Sequence, residues 1–425
     1  MGLIQEKIYH VNGMTVHAIR TAKFKTVTLS LQFRAPLKMA DATKRALLAY
    51  VLKSATAKSP TTQALQQRLD NLYGAAFSSQ VQKKGNDHIL SLFVHTANER
   101  FLSQTSSLTE ECVKLLAEAV FEPNAKAGAF DDQMVKKEKR TLKHRIESLI
   151  DDKMRYASER LIDVMCKDEA YAIHSLGYTD DLEALSPKEL FAYYQNMLQN
   201  DEIDLYVIGD IVEDDIVRLI DQHFTFQNRQ QVHHPFTFHP VAAGNPQIVK
   251  ERHDVEQGKL NLGYRTNIVV GDPLYYATQV FNGIFGGFAH SKLFMNVREK
   301  ASLAYYAASR YESYKGLLIV MSGIEFSNYD KAVDIIGVQL KSIQDGDFTA
   351  GEVDQTKALL KNTMLESLDN PYTIVDLLYK QVLVKDSDTL EEWFQRIDQV
   401  THEEIVKAAQ NTELDTVYFL QGLEG

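Results

Sequence analysis

Short stretches in which apolar and polar residues alternate predict β-strands in the first part of the chain. The alternation is clearest over residues 27–33, where every second side chain is apolar, the period of a half-buried strand. The same pattern predicts four further strands, over residues 7–9, 14–20, 76–82 and 88–95. Lys84, Gly85 and Asn86 separate the last two strands, and these turn-forming residues predict that the two strands form a hairpin.

Longer stretches between the strands repeat their apolar residues at helical spacing. Residues 43–54 are apolar nearly all round and predict a buried helix. Residues 130–154 predict a long, strongly charged helix that residues 152–166 continue. The remaining predicted elements are helices over residues 61–73, 101–119, 187–198 and 211–223 and a strand over residues 204–208. Together they predict the α+β class, with largely antiparallel sheets of five or six strands and helices packed on one face.

The composition changes over residues 224–246, where Pro, Gln, Asn and His are frequent and no period is visible. We interpret this stretch as a linker. It contains His233, His234 and His239, which could ligate a metal, but no nearby acidic or cysteine partner completes a site. A solvated linker is therefore the favoured interpretation.

After the linker, the sequence repeats the elements of its first part. Residues 259–265, KLNLGYR, resemble residues 28–34, TLSLQFR, and lie 231 positions later. Gly316 follows Gly85 at the same distance. Such matches in one register indicate two homologous α/β-sandwich halves that form a clamshell. The predicted organisation is an N-terminal half over residues 1–223, a linker over residues 224–246 and a C-terminal half over residues 247–425.

The overall composition narrows the classes of function. The formal net charge is −11, which argues against a general nucleic-acid binder. Cys112 and Cys166 are the only cysteines and no CxxC motif occurs, so a reducing compartment is expected and a disulfide framework is not. No apolar run approaches the length of a membrane span or a signal peptide. The sequence therefore predicts a soluble, cytoplasmic protein without a membrane span.

Two hydrogen-bond donors in the second half are candidate substrate-binding residues. Arg298 lies near the end of a predicted helix that follows Gly286 and Gly287, and Tyr305 lies in the next strand. A guanidinium and a phenol brought together could both donate to one carbonyl oxygen, as the handling of a peptide requires. The alternative is an arginine paired with a surface carboxylate and a tyrosine that fills a half-buried strand.

The stretch that carries this pair, GGFAHSKLFMNVREKASLAYY over residues 286–306, resembles the pitrilysin/insulinase-like metallopeptidases, the inverzincins. The strand end YVIGD over residues 206–210 and the helix containing Lys139 resemble the same family. The likeness covers essentially the whole chain and is closest to the small, mitochondrial-processing-peptidase-like branch, in which one chain carries two homologous domains. The resemblance implies that Arg298 and Tyr305, seven positions apart as in the family, bind the main chain of a peptide substrate beside the zinc.

The resemblance also locates the zinc motif, and this sequence departs from it. The family carries His-x-x-Glu-His on the helix after the first hairpin, because the chemistry needs imidazole and carboxylate ligands and a glutamate base. Alignment with that helix places Arg45 and Ala49 at the histidine positions and Leu48 at the glutamate position. Arg145 falls on the third ligand position, and Glu138 keeps the family's second acidic residue. This chain is therefore predicted to hold no metal, and zinc is expected on a partner subunit.

A shifted alignment does not restore the motif. No histidine lies between His17 and His88, and no glutamate lies between Glu6 and Glu99. The residues at the lost ligand positions are expected to converge and to carry positive charge where the zinc ion would lie. Salt bridges to the retained glutamate that fill the former cleft are favoured over a pocket for an anion or an acidic peptide.

Three functions remain open at this point. The first is a non-catalytic subunit of a heterodimeric zinc metallopeptidase, which supplies Arg298 and Tyr305 while a homologous zinc-bearing partner cleaves the peptide. The second is a peptide-binding or scaffold clamshell, a homodimer without a proteolytic role. The third is a free-standing hydrolase whose site has no recognised motif. The erased metal motif and the retained donors favour the first.

Overall fold

The computed structural model of the chain describes residues 4–102, 107–226, 229–384 and 388–423. Its contacts separate two compact units. The first unit comprises Met1–Glu147 and Ile173–Pro235, and the second comprises Ser148–Ala172 and Phe236–Gly425. These units are defined by packing, so the boundaries predicted for the two repeated halves stay a prediction. Residues 103–106 of the helix predicted over 101–119 and residues 227–228 of the predicted linker lie outside the described residues.

The first unit is built on a six-stranded sheet. The strands of this unit, in chain order, are β1 (Glu6–Val11), β2 (Met14–Arg20), β3 (Thr26–Pro36), β4 (Ala76–Lys84), β5 (Asp87–Ala97), β6 (Ala125–Lys126), β7 (Ala129–Phe130) and β8 (Glu202–Gly209). β6 and β7 pair with each other, and the others form the sheet in the order β1-β2-β8-β3-β5-β4. The β2–β8 pair is parallel and the remaining neighbours are antiparallel.

Helices of the first unit bury the apolar face of this sheet. The helices along this part of the chain are α1 (Met39–Ser54), α2 (Thr62–Asn71), α3 (Leu108–Phe121), α4 (Asp132–Glu147), α5 (Lys153–Met165), α6 (Thr179–Ala184), α7 (Pro187–Asn200) and α8 (Glu213–His223). Apart from α5, they belong to the first unit. Leu47 and Val51 of α1 share one apolar core with Leu31 and Phe33 of β3. The predicted buried helix is therefore present.

The second unit is built on a five-stranded sheet of β9 (Gln247–Arg252), β10 (Gly258–Arg265), β11 (Ala304–Glu312), β12 (Leu317–Ile324) and β13 (Glu413–Gln421). The order is β11-β12-β10-β13-β9. β9 and β13 pair in parallel, and the other neighbours are antiparallel. Read from its β9 edge, the order is β9-β13-β10-β12-β11, which corresponds strand by strand to β2-β8-β3-β5-β4 in the first unit. The predicted mixed α/β class with mostly antiparallel sheets is confirmed.

The remaining helices of the second unit pack around this sheet. They are α9 (Tyr275–Asn282), α10 (Tyr329–Gln344), α11 (Ala350–Ser367), α12 (Pro371–Leu383), α13 (Leu390–Gln399) and α14 (His402–Gln410), with π-helical segments at Gly283–Gly287 and Phe294–Lys300. Residues of α9, α10 and α14 share an apolar core with one face of the sheet, including Leu262 and Val320. No helix in the described parts of the chain is long and apolar enough to cross a membrane.

The helix predicted over residues 130–154 is interrupted. α4 ends at Glu147, and the side chain of Asp152 caps the start of α5 by accepting a hydrogen bond from the backbone N–H of Arg155 at 3.1 Å. A capping carboxylate favours the start of a new helix over the continuation of the old one. The interruption allows α5 to leave the first unit and pack in the second.

α5 covers the second face of the five-stranded sheet, which corrects the prediction of helices on one face. Leu161 and Met165 of α5 share a core with Ile319 of β12 and Leu420 of β13. Gly263 on β10 allows this approach, since a Cβ atom there would lie 2.6 Å from the Met165 Sδ atom. The glycine is therefore a packing requirement of the sheet.

The predicted linker has no helix or strand in its described part, but its beginning is bound to the first unit. The Arg229 Nε atom donates to the Gly13 carbonyl at 3.1 Å, and the same guanidinium donates to the carbonyls of Leu198 and Asp201. The His233 Nδ1 atom lies 3.0 Å from the Glu202 Oε1 atom. This part of the linker is thus attached to the first unit through Arg229, while Gln230, Gln231, His233 and Pro235 are exposed.

Candidate functional site

Arg298 lies on the surface of the second unit, in the π-helical segment Phe294–Lys300. Its guanidinium carbon is 4.6 Å from the centre of the Phe294 ring. Its Nε atom is 3.6 Å from the Glu299 Oε1 atom, and both side chains are about half exposed. An ion pair this long and this exposed contributes little stability, so most of the donor groups of Arg298 remain accessible.

Tyr305 is 66% exposed and lies at an irregularity near the start of β11. Ala304 pairs with Ile324 and Tyr306 pairs with Gly323, so Tyr305 is an extra residue on its strand. Such a bulge turns the side chain away from its normal direction and is frequent next to functional sites. The neighbouring Tyr306 is partly buried, and burial raises its pKa to about 12.

A short turn ties the two elements together. The backbone N–H groups of Ala301 and Leu303 donate to the carbonyls of Asn296 and Val297 at 3.2 and 3.1 Å. Ser302 between them has a φ of 52°, a left-handed conformation that costs energy for a residue other than glycine. The segment Phe294–Lys300 also packs against β11. Both candidate donors are therefore exposed and carried by adjoining elements.

The preceding glycine pair lets the helical layer approach β11 closely. A Cβ atom on Gly286 would lie 2.7 Å from the Ser309 backbone nitrogen. The Ser309 hydroxyl donates to the Asn282 Oδ1 atom at 2.7 Å, which fixes the end of α9 against the strand. The GG motif read from the sequence thus serves the packing that supports the donors.

The residues at the predicted former metal site have structural roles in the first unit. Arg45 is 1% exposed. Its guanidinium donates to the Tyr193 hydroxyl at 3.0 Å, to the Phe33 carbonyl at 2.5 Å and to the Asp201 Oδ2 atom at 2.5 Å. Burial opposes the charge of Arg45, but the contact with Asp201 outweighs it and raises the pKa of Arg45.

Leu48 and Ala49 lie on the same helix and belong to the apolar core of the first unit. Leu48 is fully buried and Ala49 is 1% exposed. A glutamate base or a histidine ligand would need a polar, accessible environment at these positions. The core around α1 therefore excludes the chemistry of the family motif.

Glu138 and Arg145 lie on α4, at different depths. Glu138 is 4% exposed, and its Oε1 atom is 3.4 Å from the Lys137 Nζ atom. Arg145 is exposed. Tyr50 lies on α1. Burial raises its pKa, the positive charge of Arg145 lowers it and the negative charge of Glu138 raises it. The two charged residues of α4 therefore act on the same part of α1. The ion pair of Arg45 is formed with Asp201 rather than with Glu138.

These residues do not fit a zinc ion. None of the four aligned positions offers a metal ligand, and the guanidinium of Arg45 is engaged by Asp201. Within the described ranges, no three His, Cys, Asp or Glu residues lie close enough together to hold a metal. No hydrolytic step through a metal can therefore be assigned to this chain.

Comparison with known proteins identifies the family. The chain is 45% identical to the "Probable inactive metalloprotease YmfF" of Bacillus subtilis over 425 residues, which is 100% of both chains. The chain belongs to the M16 peptidase family. The model of the "Peptidase M16 inactive domain" matches residues 184–360, and the resemblance to this class of metallopeptidases is confirmed.

Solved structures of M16-like proteins have the same fold. A conserved protein from Enterococcus faecalis, 38% identical, superimposes with a TM-score of 0.91 and covers 99% of both chains. The structure described as a peptidase M16 inactive domain from Pseudomonas fluorescens, 19% identical, has a TM-score of 0.80 with 98% of both chains covered. Together with the absence of the zinc motif from α1, the likeness to a probable inactive metalloprotease and the match to the inactive-domain model support a non-catalytic role for this M16 family member.

Sequence reasoning missed the partners of Arg45. Tyr193 and Asp201 lie on or just after α7, far along the chain from α1. Neither residue belongs to a motif, and a pattern of apolar positions does not pair side chains across such distances. The one available signal was the predicted burial of α1, because a buried arginine requires a carboxylate partner.

Proposed function

We propose that this M16 family member is the non-catalytic subunit of a heterodimeric zinc metallopeptidase. It supplies Arg298 and Tyr305 to a homologous partner that carries the zinc and cleaves peptides. The observation that carries the proposal is the contrast between the two sites. The donors are exposed on adjoining elements, whereas the three aligned motif positions on α1 are buried, with Arg45 in an ion pair with Asp201.

In this proposal, Arg298 and Tyr305 act on the main chain of the peptide. The guanidinium N–H groups and the phenol O–H donate to a carbonyl oxygen of the substrate, which orients it and stabilises negative charge on that oxygen. Tyr305 is left out of the strand pairing by the bulge, and its side chain is exposed. The metal chemistry belongs to the partner, and Arg45, Leu48, Ala49 and Arg145 occupy the positions of the lost motif and third ligand beside the retained Glu138.

We also infer that the two halves arose by duplication. Five strands of the first sheet and the five strands of the second have the same order, which supports this inference. In both sheets the parallel pair lies at the corresponding place, β2 with β8 and β9 with β13. The hairpin turn at Gly85 and the turn at Gly316 occupy corresponding places between antiparallel strands. Under this inference, the N-terminal half comprises residues 1–223 and the C-terminal half comprises residues 247–425. We also propose that the protein is located in the cytoplasm.

The test is peptide cleavage by this chain mixed with its zinc-bearing M16 partner. Arg298→Ala and Tyr305→Phe should each lower kcat about 10²- to 10³-fold, the usual effect of removing one donor to a developing oxyanion. Arg310→Ala is the matched control, because Arg310 is an exposed arginine on the same strand, 55% accessible at its side chain. It should leave the rate unchanged.

Copurification of the variants with the partner separates failed assembly from failed catalysis. Both variants should bind the partner as wild type does, since neither side chain is part of the core. Full activity of both variants in an assembled complex would remove the assigned role of the pair.

A peptide-binding scaffold without proteolytic function is the second candidate. The edge strand β4 favours it, because the exposure of its side chains alternates and the sheet ends there in the described chain. An extended peptide could add to this edge through main-chain hydrogen bonds. Tight binding of unfolded peptides by the chain alone, without any association with a zinc-bearing relative, would favour this function over the first.

A further inference from the structure

One row of residues crosses the sheet of the second unit beside the proposed peptide-binding pair. Gly323 of β12 pairs with Lys259 of β10 on one side and with Tyr306 of β11 on the other. Residues paired in this way share one face of a sheet. Because Gly323 has no side chain, its two neighbours meet above it, and the Lys259 Nζ atom lies 5.9 Å from the centre of the Tyr306 ring. The row therefore brings a cation next to the strand that carries Tyr305.

The space above Gly323 is needed for this arrangement. A Cβ atom on Gly323 would lie 2.5 Å from the Tyr306 Cε1 atom and 2.9 Å from the Gln257 Oε1 atom. The φ angle of Gly323 is not positive, so the glycine provides room for side chains and not a special backbone conformation. The Lys259 Nζ atom donates to the Gln257 Oε1 atom at 2.7 Å, which holds the ammonium in this space.

Lys259 forms no ion pair within the described part of the chain. Its ammonium carries three N–H donors, and Gln257 engages one of them. The side chain is partly buried, and burial lowers the pKa of Lys259 without an acidic residue that offsets the effect. Asp152, whose charge adds to the effect of burial on the pKa of Tyr306, caps the start of α5. A partly buried cation without a counter-ion favours the binding of an anion from outside the chain.

The position of this cation relates it to the proposed peptide site. β12 separates β10 from β11, so the strands of Lys259 and Tyr305 lie about 9.6 Å apart at the usual spacing of strands. An extended peptide covers that distance in about three residues, since each residue spans about 3.3 Å. A carboxylate a few residues from the carbonyl group held by Arg298 and Tyr305 is therefore within reach of the ammonium.

We propose that Lys259 binds a carboxylate of the peptide substrate, so that this subunit favours acidic peptides. The inference rests on the proposed binding of a peptide by Arg298 and Tyr305, and it adds the class of peptide. The carboxylate comes from an aspartate or glutamate side chain or from the C-terminus of the peptide. Its oxygen atoms accept the N–H groups that Gln257 does not engage, and such charge-assisted hydrogen bonds are about twice as strong as neutral ones.

Calorimetric titration of the full chain alone with peptides tests the proposal. The probes are three acetylated peptides of alanine and serine that differ in one group. The first has a central glutamate and an amidated C-terminus, the second has glutamine in its place, and the third is the glutamine peptide with a free C-terminus. At least one of the two peptides with a carboxylate should bind about tenfold more tightly than the amidated glutamine peptide. Which of them does so distinguishes a side chain from a C-terminus as the ligand.

Variants of Lys259 link this preference to the ammonium. Lys259→Met keeps the aliphatic stem and removes the charge, so the tenfold preference should disappear, whereas Lys259→Arg should keep most of it. Lys331→Met is the control and should bind as wild type does. Lys331 is exposed on α10, whose core lies on one face of the sheet, while Lys259 shares the other face with Leu420 and α5.

Equal Kd values of the wild-type chain for all three peptides, no binding of any of them, or a preference that survives Lys259→Met would overturn the proposal.

Arg298→Ala separates this inference from the proposed subunit function. Loss of a carbonyl donor should weaken the binding of all three peptides alike, whereas Lys259→Met weakens only the binding of those with a carboxylate. If Arg298→Ala changes no Kd while Lys259→Met still removes the preference, the carbonyl-binding role is wrong and the carboxylate site stands. If Arg298→Ala weakens all three and Lys259→Met changes none, the carboxylate site is wrong and the donor role stands.

Discussion

Arg45 is a cation in the apolar interior of the first unit, with 1% of its surface exposed. Its charge is stabilised there because Asp201, Tyr193 and the Phe33 carbonyl accept hydrogen bonds from its two terminal nitrogen atoms. Removal of one member of a buried pair leaves the other charge without compensation. Arg45, predicted from the sequence to lie at a former ligand position, is thus a part of the fold.

Arg45→Met should destabilise the first unit by about 3–5 kcal/mol, because it leaves the Asp201 carboxylate buried without its cation. Urea unfolding followed by circular dichroism measures the loss. The double variant Arg45→Met, Asp201→Asn should recover part of it, since no unpaired charge remains. Arg140→Met, at an exposed arginine on α4, is the control and should change stability by less than about 0.5 kcal/mol. Equal midpoints for Arg45→Met and wild type would contradict this account.

His17 is another buried, charged side chain of the first unit, 1% exposed. Its Nδ1 atom lies 2.7 Å from the Glu6 Oε1 atom, and its Nε2 atom lies 3.3 Å from the Asp204 Oδ1 atom. The ring stacks on Tyr206 with centres 4.1 Å apart. Burial lowers the pKa of His17, but the hydrogen bonds to the two carboxylates outweigh it and raise the pKa to about 9.

Stability should therefore fall at alkaline pH. Because the folded pKa lies above the ordinary value of 6.5, the imidazolium stabilises fully below about pH 6.5 and loses its contribution as the pH rises through about 9. The loss is on the order of 3 kcal/mol. Urea unfolding at about pH 6 and about pH 10 should show it for wild type and not for His17→Gln. The same pH dependence in both proteins would exclude His17 as its source.

The placement of α5 is the main feature at the scale of elements. It depends on Gly263, whose missing side chain leaves room for Leu161 and Met165. The φ angle of Gly263 is not positive, so the requirement comes from packing and not from backbone strain. A single substitution can thus test whether α5 must lie close to the sheet.

Gly263→Val should destabilise the second unit by about 1–3 kcal/mol, the usual effect of overpacking. Gly337→Ala is a matched control in the same unit. Gly337 lies within α10, and a Cβ atom there has nothing within 4 Å. It should stabilise by about 0.5–1 kcal/mol, because glycine is a poor helix former. Thermal unfolding measures both changes. A Gly263→Val protein as stable as wild type would show that α5 does not need this close approach.

The elements were predictable from the sequence where a local period determines them. The alternation over residues 27–33 predicted β3, and the apolar run over residues 43–54 predicted α1. The interruption between α4 and α5 was not predicted, because the residues on both sides have helical spacing. The interruption depends on the cap at Asp152 and on the packing of α5 against the sheet of the second unit. A local pattern of apolar positions shows neither of these contacts.

The site was predictable only in part, for the same reason. Arg298 and Tyr305 lie within one short stretch whose resemblance to the family makes them candidates, and their role stays a prediction. The partner of Arg45 is 156 positions away, and no motif connects them. The sequence therefore predicts a salt bridge to Glu138, whereas the fold brings Asp201 to Arg45.

At the scale of the whole molecule, this M16 family member retains the fold while its α1 helix no longer carries a metal motif. On α1, Leu48 and Ala49 pack in the core and Arg45 forms a buried ion pair with Asp201. The side chains proposed to contact a peptide remain on the surface. Because α1 carries no metal motif while the proposed peptide-binding side chains are exposed, we predict that any peptidase activity depends on a second, zinc-bearing chain.

The central claim is that this chain holds no zinc of its own. Its most direct test is the zinc content of the purified chain, measured by mass spectrometry after dialysis without a chelator. Three convergent ligands are needed for tight binding of zinc, and the part of the chain that the structure describes provides no such group. The account predicts far less than one zinc ion per chain, together with no cleavage of peptides by the chain alone. One tightly held zinc ion per chain would contradict it and would support a free-standing hydrolase instead.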